Sequence, residues 1–256
     1  MEIKNNTNKF TLYNQFARYY DLAYAWKRYD TEAAQIISYV RAKKRNKGNR
    51  LLDVACSTGS LLAYLSGPFS CVGVDISKTM LDIARKKKIP GVTFKQSDMI
   101  NLSLEEKFDV ILCPFGSSNY VKTYRNLKRT INGFSRHLNA GGIVIIEPWF
   151  TYPTKRSGRQ ATGYIYKPGL PYMRIYDGKE MKIARIRNST LRDYIQTIHI
   201  HTTIARKNEP TVNFEDIHYV GLFDIKKTMA IMEKAGLEVT FDKRLLSGSF
   251  VGIKKA

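Results

Sequence analysis

Leu51-Leu52-Asp53-Val54-Ala55-Cys56-Ser57-Thr58-Gly59 joins an acid to a run of small residues. The pattern reads as a buried strand entering a tight turn and then a helix. Such a turn lets backbone N–H groups approach a ligand that larger side chains would keep away. About twenty residues on, Val72-Gly73-Val74-Asp75 reads as a second apolar strand ending in an acid. An acid at the tip of the second strand of a βαβ unit is placed to bind ribose hydroxyls. Together the two segments outline a nucleoside-binding crevice, which a lone glycine turn would not.

These residues need elements to position them. Apolar strand patterns at 51–55, 71–75, 92–95, 108–113 and 143–147 alternate with helical patterns at 59–66, 77–88 and 123–138. Gly141-Gly142 marks the turn before the fifth strand. The alternation argues for a parallel sheet covered on both faces. Residues 10–46 look helical: Phe10, Tyr13, Phe16, Ala17 and Tyr20 recur at helical spacing, and Ala33, Ile36, Ile37 and Val40 share one face. Residues 150–170, rich in Gly, Pro, Lys and Tyr, read as a loop. From 172 to 222 the apolar pattern has period two, with Asp177-Gly178 as a hairpin signal, so an antiparallel sheet is expected. A helix at 224–235 and strands at 237–242 and 249–254 close the chain, the two strands as an antiparallel pair at the edge of the main sheet.

Composition sets outer bounds. The chain has 256 residues, 43% of them hydrophobic, which suits one large α/β domain or a core with an inserted lobe. No apolar run is long enough to span a bilayer. The polar N-terminus lacks a signal-peptide core, so a cytoplasmic location is expected. Cys56, Cys71 and Cys113 fall on or beside central strands and read as buried thiols; no metal site is expected, and His199, His201 and His218 sit in strand-like alternations. The formal net charge of +20 suits an anionic partner such as nucleic acid or a phosphorylated substrate. It equally suits a genome-wide bias, since the basic residues are spread out, with short runs only at Lys43-Lys44-Arg45 and Lys86-Lys87-Lys88.

The stretch from Asp53 to Gly59, Asp75, Ser97-Asp98-Met99 and Phe108 to Pro114 resemble, in that order, the motifs of class I S-adenosylmethionine-dependent methyltransferases. Tyr29 to Gln35, the turn at Asp53 to Gly59, Glu147-Pro148-Trp149 and the tail Ser247 to Gly252 are similar to N-methyltransferases of nucleotide-linked amino sugars of the desosamine and mycaminose type. The resemblance implies a Rossmann-like, doubly wound, seven-stranded α/β sheet with N-terminal helices and an inserted antiparallel β lobe. It implies a helical cap over residues 1–46, a cofactor-binding core over 47–150 and 223–256, and a substrate lobe over 151–222. It also implies S-adenosylmethionine as methyl donor and S-adenosylhomocysteine as product. Tyr29, Asp53, Ala55, Cys56, Ser57, Gly59, Asp75, Ile76, Met80, Asp98, Met99, Cys113 and Pro114 become candidates to hold the donor. Two positions depart from the family: Ser57 stands where glycine is usual, and Tyr120 where histidine is usual.

Each role has a plain competitor. Asp75 could simply cap a helix, and Asp98 could cap a turn before Asn101 rather than meet an adenine amino group. Tyr20 and Tyr29 either pack the N-terminal helices or shield a sulfonium cation from water. Glu147, with Pro148 and Trp149, is expected at the amine substrate, and Arg185 at the anionic nucleotide; their alternatives are a salt bridge, core packing and solvent. Methyl transfer from a sulfonium asks mainly for alignment, which supplies roughly 7–11 kcal/mol. Tyr20, Tyr120, Glu147 or water then takes the proton of the amine. The expected partner is a small-molecule amine, with no membrane and with a homodimer formed through lobe strand edges. A second reading is methylation of RNA or another polyanion, which the absence of an Asn-Pro-Pro-Tyr-type tip after the fourth strand disfavours. A third is a non-catalytic binding protein that keeps the fold.

Overall fold

The computed structural model describes residues 11–149 and 171–255, so the loop expected at 150–170 lies outside the described residues. Within them the chain divides into two compact units: residues 11–28 with 171–220, and residues 29–149 with 221–255.

The larger unit carries the seven-stranded sheet. Its strands are β1 (Arg50–Val54), β2 (Ser70–Asp75), β3 (Val92–Gln96), β4 (Phe108–Cys113) and β5 (Leu138–Ile146), followed after the other unit by β10 (Leu237–Asp242) and β11 (Ser249–Lys254). The order is β10-β11-β5-β4-β1-β2-β3. β1 pairs in parallel with β2 and β4, while β11 runs antiparallel to both β5 and β10. The central strands are buried along almost their whole length, as a sheet covered on both faces requires.

Helices flank this sheet, and three of their starts are written in the sequence. α4 (Lys78–Lys86) begins where Ser77 accepts the Met80 N–H, α5 (Tyr124–His137) where Thr123 accepts that of Asn126, and α6 (Ile225–Lys234) where Asp224 accepts that of Lys227. α5 buries Leu127, Ile131 and Phe134 along one stripe. α2 (Tyr29–Lys43) also belongs to this unit: its Ala33, Ile36 and Val40 join the main core. The family resemblance implies that this helix belongs to a cap over residues 1–46. Its apolar face instead fills the sheet core.

Two other expectations change. The helix expected at 59–66 shrinks to α3 (Leu62–Leu65), because the turn before it uses left-handed backbone. Gly141-Gly142 does not precede β5 but lies inside it, where the pairing with β4 slips between Phe108 and Val110 and Gly141 has φ +70°.

The smaller unit opens with two 3-10 turns, Thr11–Tyr13 and Ala17–Tyr19, and α1 (Tyr20–Ala23), so the N-terminal helical reading holds only in short pieces here. Its sheet runs β6 (Tyr172–Asp177), β7 (Met181–Arg192), β8 (Ile195–Arg206) and β9 (Val212–Gly221) in sequential order. β6–β7 and β7–β8 are antiparallel, and Asp177-Gly178 begins the expected hairpin. Tyr19, Ile183 and Ile204 form its core, with the Phe16 and Phe214 rings stacked 3.9 Å apart. Among the described residues no helix is long and apolar enough to cross a membrane.

Candidate functional site

In the larger unit the chemistry-bearing residues collect at the carboxyl ends of β1 to β5, the edge where open α/β sheets bind ligands. After β1 the backbone is left-handed at Ala55 (φ +61°) and Ser57 (φ +56°). Each such residue costs about 1–2 kcal/mol, which the neighbours must offset. They do so by hydrogen bonding: Cys56 N–H donates to Val74 O (3.0 Å), and Ser57 N–H to Asp75 Oδ2 (2.9 Å). Gly73 permits the approach, since a Cβ there would stand 2.8 Å from Cys56 Sγ.

This corrects one sequence expectation. The N–H groups of Cys56, Ser57 and Gly59 do not face a ligand. They are spent on Val74, Asp75 and Cys56. A site that gripped a pyrophosphate would need such groups free. The arrangement fits a nucleoside that brings no phosphate.

Asp75 is the hub of this edge. Its Oδ1 accepts Ser77 N–H (2.8 Å), and its main-chain oxygen accepts Ser97 N–H from the end of β3 (3.0 Å). Burial raises its carboxyl pKa, while the N–H groups of Ser77, Ser57 and Ile76 pull it back down. An ionised carboxylate has about four acceptor positions, and these N–H groups leave only part of them for another donor. Ile76 beside it is 68% exposed, an apolar surface available to a base. Asp98 caps the turn of Met99: its Oδ1 accepts Ile100 N–H (2.9 Å) and its Oδ2 the Asn101 amide (3.2 Å).

The ends of β4 and β5 are tied together. Glu147 N–H donates to Cys113 O (3.1 Å), Gly116 N–H to Glu147 O (3.0 Å), and Phe115 N–H to the Glu147 carboxylate (2.7 Å). Gly116 has φ +72°, and a Cβ on it would fall 2.4 Å from Trp149 Cβ. Glu147 and Pro148 are buried, whereas Pro114, Tyr120 and Trp149 are half-buried. Asn119, fully buried, accepts Trp149 N–H and donates to Gly221 O. No feature of Ser117-Ser118-Asn119-Tyr120 announces that role in advance.

Other candidates lie deeper. Asp53 is 1% exposed in the middle of the sheet. Burial and then the Asp53 charge raise the Cys56, Cys71 and Cys113 thiols, Cys71 to about 12. Met80 spends its side chain on the core, and the Tyr29 ring packs against that core at the start of α2.

Tyr20 and Arg185 belong to the smaller unit and share a cluster there. The Tyr20 ring lies 4.6 Å from Tyr24 and 6.0 Å from Tyr13. The Arg185 guanidinium sits 5.0 Å over Tyr24, and its buried Nε has no hydrogen-bond partner among the described residues. Burial opposes its charge, but Tyr24, Tyr13 and Asp216 together raise its pKa. Burial, then Arg185, pushes His218 down to about 4. Arg174 faces Arg185 across β6 and β7, 3.6 Å over the Trp26 ring, and Arg187 lies 4.7 Å over Tyr172. The sequence signal for this face was the alternation of Arg185 and Arg187 opposite Arg174, visible only once the register is known. Among the described residues no group of three or more His, Cys, Asp or Glu is arranged to hold a metal ion.

Comparison with known proteins gives this geometry a context. A family model described as a methyltransferase domain matches residues 51–142. The chain is 31% identical over 239 residues to dTDP-3-amino-3,4,6-trideoxy-alpha-D-glucopyranose N,N-dimethyltransferase of Streptomyces venezuelae, covering 91% of this chain and 95% of that one. It is 30% identical to dTDP-4-amino-2,3,4,6-tetradeoxy-D-glucose N,N-dimethyltransferase of Saccharopolyspora spinosa, over 87% and 85% of the two chains. The crystal structure of Streptomyces venezuelae DesVI superposes with a TM-score of 0.81 at 30% identity, over 93% of this chain and 98% of that one.

Proposed function

The chain belongs to the S-adenosylmethionine-dependent N,N-dimethyltransferases of sugar amines, and from that membership we propose that it methylates the amine of a nucleoside-diphosphate-linked amino sugar. The observation that carries the reading is the anchored Asp75 carboxylate, at the rim of a turn whose N–H groups are already spent. That combination suits S-adenosylmethionine, which offers ribose hydroxyls and no phosphate.

When bound, S-adenosylmethionine supplies an electrophilic methyl on a sulfonium. The chain's residues do the rest by placement. Asp75 takes the ribose hydroxyls, Ile76 lies against the base, and the Asp98–Met99 turn closes its edge. Tyr29 lines the donor with its ring, and Ala55 to Gly59 with Cys113 and Pro114 shape the floor. Asp53 and Met80 support that floor from the core. Glu147, held by Phe115 N–H, would attract the sugar ammonium, and the amine, once it gives up a proton, would present its lone pair to the methyl that the donor supplies. Tyr120, Tyr20 or water takes the proton, and Trp149 walls the acceptor. Alignment outweighs base catalysis, so Tyr20→Phe and Tyr120→Phe each cost less than loss of the donor site.

Arg185 is assigned to the diphosphate. Like charges facing each other across paired strands cost stability, and an anion between Arg174 and Arg185 removes that cost. Three free buried thiols favour a reducing, cytoplasmic setting, and pairing through the β6 or β9 edge favours a homodimer.

The test is a product assay with methyl-labelled S-adenosylmethionine and three acceptors: a dTDP-linked amino sugar, the same sugar without its nucleotide, and RNA. Methylation of the nucleotide sugar, read as one or two methyl additions by mass, is expected. Label in RNA, or turnover of the free sugar at an equal rate, would overturn the assignment.

A further inference from the structure

We propose that Asn119 is a positioning residue for methyl transfer, acting through Trp149; this rests on the reading of Glu147 to Trp149 as the acceptor wall. Asn119 is 0% exposed, on the short 3-10 turn Ser117–Val121 that follows β4. Its Oδ1 accepts Trp149 N–H at 2.7 Å and its Nδ2 donates to Gly221 O at 2.6 Å. The two partners lie 30 and 102 residues away along the chain. Rotating the amide by half a turn would set Nδ2 against an N–H and Oδ1 against a C=O, so only one orientation satisfies both partners.

The location gives the bond pair its weight. Trp149 is the last described residue before the chain leaves the larger unit, and Gly221 is the first on its return. One side chain therefore ties Trp149 and Gly221, both in the larger unit, to the turn that carries Tyr120. Gly116 reinforces the clip from the other side, since its missing Cβ is the space occupied by Trp149. The Glu147 carboxylate holds the same turn through Phe115 N–H. Removing the Asn119 amide takes away the acceptor of Trp149 N–H and the donor to Gly221 O, and so loosens the hold on Trp149. A misplacement of about 1 Å costs a methyl transfer roughly 100-fold. Among the described residues no hydrogen bond joins Asn119 to Asp75 or Ser57, so donor binding is expected to change little.

The experiment compares Asn119→Ala, Asn119→Ser and Asn119→Asp in the full chain, with Asn119→Ser replacing Asn119→Ala if the latter fails to fold. The aspartate keeps an acceptor for Trp149 N–H, and burial beside a carbonyl favours its protonated form, whose O–H donates to Gly221 O. Rates are normalised to sites titrated with S-adenosylhomocysteine. Asn119→Ala is expected to lower kcat about 100-fold while the KM for S-adenosylmethionine stays within about 3-fold, and Asn119→Asp to recover most of that loss. A second readout needs no acceptor. The chain has two tryptophans, so in a Trp26→Phe background acrylamide quenching reports Trp149 alone. Quenching is expected to increase in Asn119→Ala and to stay near wild type in Asn119→Asp. Unchanged quenching and kcat in Asn119→Ala, or a KM for the donor that rises in step with the fall in kcat, would overturn the assignment. If wild type turns over no amino sugar, the substrate assignment fails on its own, and quenching still decides whether Asn119 holds Trp149.

Discussion

Truncating Asp75 to alanine separates its two duties, because the structure gives each a magnitude. The sequence alone suggests a residue that only touches ligand, so that Asp75→Ala would weaken binding and leave the fold intact. The hydrogen bonds say otherwise. Asp75 accepts two backbone N–H groups, from Ser57 at 2.9 Å and Ser77 at 2.8 Å, in a site 9% exposed. Bonds to a charged acceptor are worth about 1.5–3 kcal/mol each, so losing both costs about 3–6 kcal/mol before water enters. Water will recover part of this at the rim, which leaves about 3 kcal/mol. With a urea slope of about 2–3 kcal/mol per molar, the midpoint moves down by about 1 M. Asp75→Asn keeps one acceptor oxygen and turns its NH₂ toward the other N–H, so it should lose roughly half as much stability.

Binding responds separately. Two ribose hydroxyls on a carboxylate contribute about 3–6 kcal/mol in all, so S-adenosylmethionine affinity should fall at least about 100-fold in Asp75→Ala. Isothermal calorimetry below the shifted urea midpoint reads the affinity, and urea unfolding without ligand reads the fold. An unchanged midpoint would refute the structural half of the reasoning; an unchanged affinity would remove Asp75 from the donor site.

His218 makes stability depend on acid. Its folded pKa of about 4 lies below the ordinary 6.5, so between those values the unfolded chain binds the extra proton and unfolding is favoured as pH falls. Stability is complete above pH 6.5 and should drop by about 2 kcal/mol from pH 7 to pH 5; urea unfolding of His218→Phe should lack that loss, and parallel profiles would refute it. Ser57→Gly relieves a left-handed serine and should raise stability by about 0.5–1 kcal/mol in the same assay; a lowered midpoint would mean that the hydroxyl carries an unrecognised load. With its thiol at about 12, Cys71 is about 1000-fold poorer in thiolate at pH 8 than a thiol at the ordinary 9.0. All three cysteines should react with a thiol reagent only after unfolding, and rapid labelling of native protein would contradict their burial.

The sequence carried the sheet because period and punctuation agreed there. Leu237–Asp242 and Ser249–Lys254 emerge with the bounds expected, and so do the strand tips at Asp75 and Cys113. The turn at Ala55–Gly59 was legible as small residues, but not which way its N–H groups pointed, since that follows from the partnership with β2. Asn119 was illegible for a related reason: both its partners are distant in sequence, and no local period marks a residue whose duty is to join Trp149 to Gly221. Arg185 was visible as one basic residue among many. Its cluster required the register that sets Arg174 opposite it.

Three acids of the larger unit's rim share one construction. Asp75, Asp98 and Glu147 each use part of their carboxylate on a backbone N–H of a neighbouring turn. A carboxylate so held loses one or two acceptor positions but has the rest already aimed, so binding need not pay to order it. The same bonds favour the charged form against burial, as the opposing contributions at Asp75 display. For that reason a rim acid of this protein cannot be exchanged for its amide as a neutral probe. Asp75→Asn and Asp98→Asn place a donor against a donor whichever way the amide turns, since both carboxylate oxygens accept, and Glu147→Gln does so unless its oxygen turns toward Phe115 N–H.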